Sequence, residues 1–449
     1  MAMQVNTPAP QVAAMQTDWQ LVDDLLGGTK AMRAAGDRHL PKRPLEEVTD
    51  YAARLSAATL LPAFAETVKR MVGRVFAEPM LIGEDVPKWI DGEVLPDVDR
   101  QGRNLHVFAR EWFAEALGYG LSHCIVESPR AEGVRTQADQ RRAGLRPYLI
   151  HVHPRRVLGW KERDGRLVQV RIRFDRTVDD GEFGEKTVEQ VRVYEPGRVR
   201  TYEQGARDGA WVQVDDVPTD LQRIPLITLY TARTGMLTAT PPLRELAHLN
   251  AKHWRMQSGT DTLIDTASVP ILSISGVQES DDIVIGAKHA VRLPQGATMQ
   301  YVEHTGAAID AGRRALTDLV EDMRRAGAKL LQPADAAKTA TEAREDAAGD
   351  NSELGGMATQ LQDTLVDVLD LIAEYRGEAK GGTVTVRANL DPDPTPADTL
   401  TALIGLRNAG ALSDETLFAE AQRRGLVAGD IPWADEAARI ASQGMPLAA

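Results

Sequence analysis

The feature that most constrains this chain is a pair of long helical segments with too little apolar surface to pack alone. Thr240 suits an N-cap and Pro241 and Pro242 suit a first turn, so the spacing predicts a helix over residues 240–266. At about 1.5 Å per residue it is roughly 35–40 Å long. Its apolar stripe is thin: Leu243, Leu246, Ala247, Trp254, Leu263 and Ile264, with polar residues between them. A second helix is expected over 307–330. Ile309, Leu316, Leu319, Val320, Met323 and Leu330 share one face, and Arg313, Arg314, Asp318, Glu321, Asp322, Arg324 and Arg325 occupy much of the rest. Thin stripes on long helices imply few partners within the chain and contact with neighbouring subunits. Between the helices lies a short α/β insert, 268–305, with strand-like VPILSIS and HAVRLP.

The flanking regions are more ordinary. After Gln332 and Pro333 comes a small-residue stretch, PADAAKTA, then a third long helix over 341–375 with Gly355 and Gly356 as a bend. A short strand at 383–386 and the turn-rich DPDPTP lead to a helical tail, in which Gly410 and Gly425 end helices and Ser413 caps one. Upstream, helices are expected over 18–36, from Leu45 to Val75 with a kink at Pro62, and over 105–117, ended by Gly118 and Gly120. Residues 121–126 read as a buried strand. From Pro147 to Tyr230 short alternating runs separated by Asp164-Gly165 and Pro196-Gly197 predict antiparallel sheet, a small barrel or a sandwich. Arg171, Arg173, Arg192, Arg198 and Arg200 alternate with apolar residues and read as a solvated sheet face. No internal repeat is found.

Composition narrows the function. The 449 residues suffice for two to four domain-sized units, with 43 % apolar and 26 % charged residues. No run approaches the roughly 18 uncharged apolar residues of a membrane span. The N-terminus lacks a basic region followed by an apolar core, so no signal peptide is expected. One cysteine, Cys124, allows no intrachain disulfide and reads as buried and structural. A net charge of −13 is not that of a protein that grips DNA statically. Such a chain either ignores nucleic acid or lets it slide past. Phosphate-loop, HExxH, CxxC and GxSxG signatures are missing, so neither an enzyme nor a cofactor is expected. His151 and His153 (HVHP) resemble a metal pair but bring no carboxylate or cysteine with them in the sequence, and Asp391 and Asp393 (DPDP) read as a turn. Glu111 and Glu115 read as a solvated helix face.

Several segments, in order, resemble the portal proteins of tailed phages: AMRAAGDRHLPKRP (31–44), TVKRMVGRVFAEP (67–79), LGYGLSHCIVESP (117–129), PPLRELAHLNAKHW (241–254), ASVPILSISG (267–276), RRAGAKLLQ (324–332) with TATEARED (339–346), and LRNAGALSDET (406–416). The resemblance covers about residues 20 to 445. It implies an α+β portal fold: a wing of N-terminal helices and antiparallel sheet (1–239), a stem helix (240–267), a small α/β clip (268–306), a second stem helix (307–330), a tunnel loop (331–340), a long kinked wing helix (341–377) and a helical crown (378–449). It further implies a ring of about twelve copies at one capsid vertex. Double-stranded DNA would pass through it without sequence reading. The implied partners are the major capsid protein, the terminase, and the head-completion adaptor and tail proteins. The location would be the virion, after synthesis in the host cytoplasm, with no membrane contact.

Within this scheme Lys329, Gln332, Lys338 and Thr339 are the candidates to face DNA. Isolated cations can touch the phosphate backbone while an otherwise acidic lumen keeps DNA from sticking. Either lysine equally suits a salt bridge to a neighbour through Glu342 or Glu345. Glu321, Asp322, Arg324, Arg325 and Trp254 are the candidates for contact between subunits. Competing readings are another structural phage protein such as an adaptor, and a metal-dependent nucleic-acid enzyme using Asp97, Asp99 or DPDP. Lys338→Ala is expected to leave the oligomer intact and to change DNA packaging or retention in particles. Normal packaging and retention would remove the role assigned to this lysine.

Overall fold

The computed structural model describes residues 4–129, 145–205, 209–219, 221–268, 271–276, 295–302, 306–328, 340–388, 396–423, 426–427 and 431–442. It is an α+β fold in two compact units, one of residues 1–338 and 354–388, the other of 339–353 and 389–449.

The first unit begins with a helical layer. The helix expected over 18–36 is two, α1 (Pro10–Leu26) and α2 (Gly28–Ala35), because the chain breaks at Gly27. The next is also two, α3 (Val48–Ala57) and α4 (Ala63–Val75), with an extended segment at Ala58 instead of a kinked continuation at Pro62. A short strand, β1 (Leu81–Ile82), and a turn-rich stretch lead to α5 (Leu105–Tyr119). Asn104 caps α5 by accepting from the Val107 N–H at 2.9 Å. Gly120 ends it at φ 88°, where a Cβ would lie 2.6 Å from the Thr240 carbonyl oxygen, so only glycine fits. Trp19 of α1 donates its indole N–H to the Tyr119 carbonyl at 3.0 Å, and Phe108, Trp112 and Phe113 of α5 are buried.

Two antiparallel sheets follow. One has the order β3-β2-β9, from β2 (Leu121–Glu127), β3 (Tyr148–Val152) and β9 (Leu226–Tyr230). The other is a meander of β4 (Val157–Arg163), β5 (Arg166–Asp179), β6 (Glu185–Glu195), β7 (Arg198–Gln204) and β8 (Trp211–Pro218). The five-stranded sheet does not close, which removes the barrel. Ile125 and Val152 of one sheet pack with Val170, Ile172 and Tyr194 of the other, the shared core of a sandwich. A small ribbon, β10 (Arg233–Gly235) and β11 (Thr238–Ala239), completes the region.

The alternating arginines do not form one solvated face. Arg192 lies between the sheets, stacked 4.5 Å from the Phe174 ring and 3.1 Å from Glu127, which also accepts from the Tyr194 and Tyr148 hydroxyls. Arg171 donates to the Gln4 and Val5 carbonyls, because the N-terminal segment covers the opposite face of the sheet. Arg198 pairs with Asp216 and Arg200 with Glu195, leaving Arg173 exposed as expected.

Three long helices and a strand pair come next: α6 (Arg244–Ala267), β12 (Ile271–Ser275), β13 (Thr298–Val302), α7 (Ala307–Met323) and α8 (Ala340–Glu374). From Leu354 onward α8 belongs to the first unit, where Leu361, Leu365, Val368, Leu369 and Ile372 are fully buried. The chain then returns to the N-terminal layer. β14 (Val384–Thr385) pairs with β1, Tyr375 donates to the Val126 carbonyl at 2.8 Å, and the Arg376 guanidinium sits 3.8 Å from the Trp89 ring centroid. Residues 378–388 thus group with the N-terminal helices and not with the tail.

The second unit contains α9 (Pro396–Asn408), α10 (Asp414–Arg423) and α11 (Trp433–Ser442). Ser413 caps α10 through the Thr416 N–H at 3.1 Å, as its spacing predicts. Phe418 and Trp433 rings meet at 5.4 Å.

A buried amide joins α6 to the N-terminal layer. Asn250 accepts from the Phe64 N–H at 3.0 Å and donates to the Leu61 carbonyl at 2.9 Å, satisfying both backbone groups at the break between α3 and α4. Asn250→Leu is expected to lower the unfolding free energy by about 2–4 kcal/mol, since two backbone groups lose their partner. The denaturant midpoint of the isolated chain, at unchanged slope, measures this.

Candidate functional site

The helix pair α6 and α7 with its strand-paired tip is packed at one end and open at the other. α6 starts at Arg244, later than Thr240 would set it. Leu243 stands at the cap position, without a capping side chain, because Pro241 and Pro242 fall in a turn closed by the Arg244 N–H on the Pro241 carbonyl. The helices run antiparallel. A Cβ on Gly312 would lie 3.2 Å from Thr260, His253 shares a groove with residues 316–321, and Gly327 lies against Leu243. α7 is shorter than its apolar spacing suggests. It gives way at Arg324 to a wider turn that Gly327 closes at φ 113°.

Burial divides this pair sharply. Leu246, Ala247, Asn250, Ala251 and Trp254 of α6 are buried, and so are Leu316, Leu319 and Met323 of α7. Among the residues from Asp261 to Ala315 whose side chains are described, none is buried. Leu263, Ile264, Ile274, Met299 and Ile309 are left half-covered at the far end of the hairpin.

The candidates for contact between subunits fall into two groups. Trp254 has no exposed surface in the single chain, so its ring packs inside the chain and not across a boundary. The other four form short-range pairs at the end of α7. Arg324 reaches Glu321 at 2.9 Å and Arg325 reaches Asp322 at 3.7 Å. Arg325 and Asp322 stay more than half exposed. Lys329, Gln332, Lys338 and Thr339 lie outside the described residues, as do Asp391 and Asp393. A groove of about 390 Å³ between the helices is lined by His253, Leu316, Thr317, Asp318, Val320 and Glu321.

The histidine pair of HVHP does meet a carboxylate. Glu115, spaced as a surface residue of α5, turns under the sheet. Its oxygens lie 3.0 Å from His151 Nε2 and 3.9 Å from His153 Nε2, and it accepts from the Ser122 hydroxyl at 2.7 Å. Burial alone would raise the Glu115 pKa. Hydrogen bonding and charge from His151, the charge of His153 and the Ser122 hydroxyl overcome it and hold the carboxyl low. The sequence signal was faint, because Glu115, Ser122 and His151 come from a helix and two strands far apart in the chain. Glu111, by contrast, is the exposed partner of Arg103. No group of three His, Cys, Asp or Glu side chains placed to hold a metal ion occurs among the described residues.

Asp97 and Asp99 hold their own loop. Asp97 accepts from the Gly102 N–H and Arg146, and Asp99 from the Gln101 N–H and Arg103. Cys124 is buried, and burial pushes its thiol pKa far up, as a structural cysteine requires.

Residues 242–376 match a family model described as "Domain of unknown function (DUF4055)". No curated protein matches the chain. It is similar to a chain from the neck of an empty GTA particle computed with C6 symmetry, at 15 % identity and TM-score 0.48, covering 81 % of this chain and 90 % of that one. It is also similar to a chain from the neck of a native GTA particle computed with C12 symmetry, at 13 % identity and TM-score 0.43, covering 86 % and 96 %.

Buried histidines make this region acid-sensitive. His123 is fully enclosed on β2, with Nδ1 2.9 Å from the Thr228 hydroxyl. Burial lowers its pKa to about 3; Glu115 opposes this, and the charges of His151 and His153 add to it. The unfolded chain takes up this proton near pH 6.5, the folded chain only at about 3, so stability falls as pH drops between the two. The loss assigned to His123 is about 1.4 kcal/mol per pH unit in that window. Urea unfolding of wild type and His123→Gln between pH 7 and 5 is expected to show this difference in slope, and parallel slopes would contradict it.

Proposed function

We propose that this chain is the subunit of a portal-type ring at one vertex of a tailed-phage or phage-like capsid. The observation that carries the reading is the helical hairpin in which none of the residues from Asp261 to Ala315 whose side chains are described is buried. A chain that leaves so long a segment unpacked gains its missing burial from another molecule. Neighbouring copies supply that burial when they surround a central axis, and a repeated head-to-tail contact that closes gives a ring.

The order of elements supports the same assignment. A helical and sheet-rich wing precedes two antiparallel helices with strands at their tip, and a long helix and a helical tail follow. This is the order that the resemblance to portal proteins implies. In this reading α6 and α7 form the stem, the β12–β13 end forms the clip that receives the terminase and later the head-completion proteins, and the tail forms the crown. Lys329, Gln332, Lys338 and Thr339 keep their assignment to the channel. Glu321, Asp322, Arg324 and Arg325 keep theirs to the boundary between copies. The net charge of −13 suits a conduit, since an acidic wall lets phosphates pass without holding them. The ring would do no covalent chemistry and need no cofactor.

Native mass measurement and negative-stain imaging of the purified chain test this. Closed rings of about twelve or thirteen copies with a central hole are expected. A compact dimer that cleaves DNA with a divalent metal would overturn the proposal.

A further inference from the structure

We infer that the loop of residues 41–45 anchors each copy of this chain to the next, with Leu45 seated in the groove between α6 and α7 of its neighbour. This inference rests on the ring assignment, and it names the two surfaces that make the contact.

Nothing in the single chain explains Leu45. Its backbone is left-handed, with φ 66°, where glycine or asparagine fits and a bulky side chain is strained. Its side chain is fully exposed, and Val48, the first residue of α3, is 69 % exposed. A strained backbone that presents an apolar side chain to water weakens the fold on both counts. Yet the loop is held firmly. Arg54 donates to the Glu46 carboxylate at 2.6 and 2.7 Å and to the Pro41 carbonyl at 3.0 Å, and the side chains of this ion pair are nearly enclosed. The Arg43 N–H donates to the same carboxylate at 2.8 Å, and the Lys42 N–H donates to Asp37 at 2.8 Å. An unfavourable residue fixed from both sides marks a conformation kept ready for a contact outside the chain.

The chain also carries a place to receive it. Leu316 and Val320 line the groove of about 390 Å³ between α6 and α7, and Val320 stays half-covered. His253 lines the groove too. It is only 6 % exposed, and among the described residues its Nδ1 has no hydrogen-bond partner. A buried polar atom left alone is costly, and a group from a neighbouring molecule satisfies it when the groove is filled.

Position and charge make the occupant a second copy. The Arg43 guanidinium adjoins α6 at Gly259, where a Cβ would stand 3.6 Å from it. Gly259 follows His253 by six residues and so lies about 120° around the helix from it. Loop and groove therefore occupy different flanks of α6, and a contact between different flanks is head-to-tail, the kind that closes a ring. The same six residues span about 9 Å along α6. Rotation about a ring axis leaves height unchanged, so the loop of one copy stands near the level of the next copy's groove. Residues 41–45 carry Lys42 and Arg43 and no acid, whereas Asp318 and Glu321 line the groove. Among the described residues neither Lys42 nor Asp318 has an ion pair within the chain, which leaves both charges for a neighbour.

Leu45→Asn in the full-length chain tests this. Asparagine tolerates the left-handed backbone, so thermal unfolding of the single chain is expected at the wild-type temperature or above. Rings are expected to need at least about tenfold more protein. Thr317→Arg, at an exposed position on the groove, is expected to weaken ring formation by a similar factor. Placement is read directly by linking copies. Leu45→Cys with Val320→Cys, treated with a short bis-maleimide, is expected to give a ladder of linked chains, and either cysteine alone is not, since Cys124 is buried. Rings of Leu45→Asn at wild-type concentration, or no ladder from rings of the double-cysteine chain, would overturn the inference. A loss with Leu45→Asn but none with Thr317→Arg would overturn the groove as the seat of Leu45. Failure of the wild type itself to form rings would overturn the ring assignment instead.

Discussion

Everything that distinguishes this chain follows from how α6 is held at one end and left bare at the other. Asn250 bonds the backbone of Leu61 and Phe64, and Trp254 is enclosed one turn further along. These contacts fix the first half of the helix to the N-terminal layer. Gly120 permits the close approach of the Thr240 backbone that sets where the helix departs. Beyond Thr260 no described side chain is buried before Leu316, so the position of the hairpin is set by its root.

The root is itself braced from several directions. Trp19 bonds the carbonyl of Tyr119, whose ring meets His153 edge-on at 4.7 Å and whose hydroxyl reaches Asp23 at 2.5 Å. Asp23 in turn holds Arg155, and Glu115 draws His151 and Ser122 together below. Helices and sheets are therefore joined by buried polar groups as well as by apolar packing. Such networks specify one arrangement when every member is satisfied, and they lose that advantage when a histidine gains a proton.

Much of this was legible in the sequence, and the parts that were not share a cause. The periodicity of α5 and the left-handed Gly120 are local, and both were read correctly. The long helix over 341–375 was placed within a residue or so of α8 because its apolar stripe is unbroken through Leu361, Leu365, Val368 and Ile372. Thr240 failed as a cap because the following prolines fold into a turn before the helix, and one residue type cannot announce which turn wins. Glu115 was assigned to water because its helical spacing is that of a surface residue, and only the neighbouring strands reveal that the surface is covered. Arg192 was assigned to water for the same reason. Alternation tells which residues share a face, and the partner that covers that face is written elsewhere in the chain.

The division of burial has a further consequence for what stability means in this protein. Cooperative unfolding reports groups whose contacts are lost together. The N-terminal helices, the two sheets and the buried part of α8 hold such groups, with core residues from Trp19 to Ile372 enclosed in one unit. The far end of the hairpin holds none among the side chains described. Few contacts there are lost together with those of the core when the chain unfolds. A substitution among the N-terminal helices or the sheets then alters how much folded chain exists. A substitution between Asp261 and Ala315 leaves the unfolding of a single chain nearly untouched. One pair of helices thus carries much of its share of the chain's stability at its root and little of it at the far end.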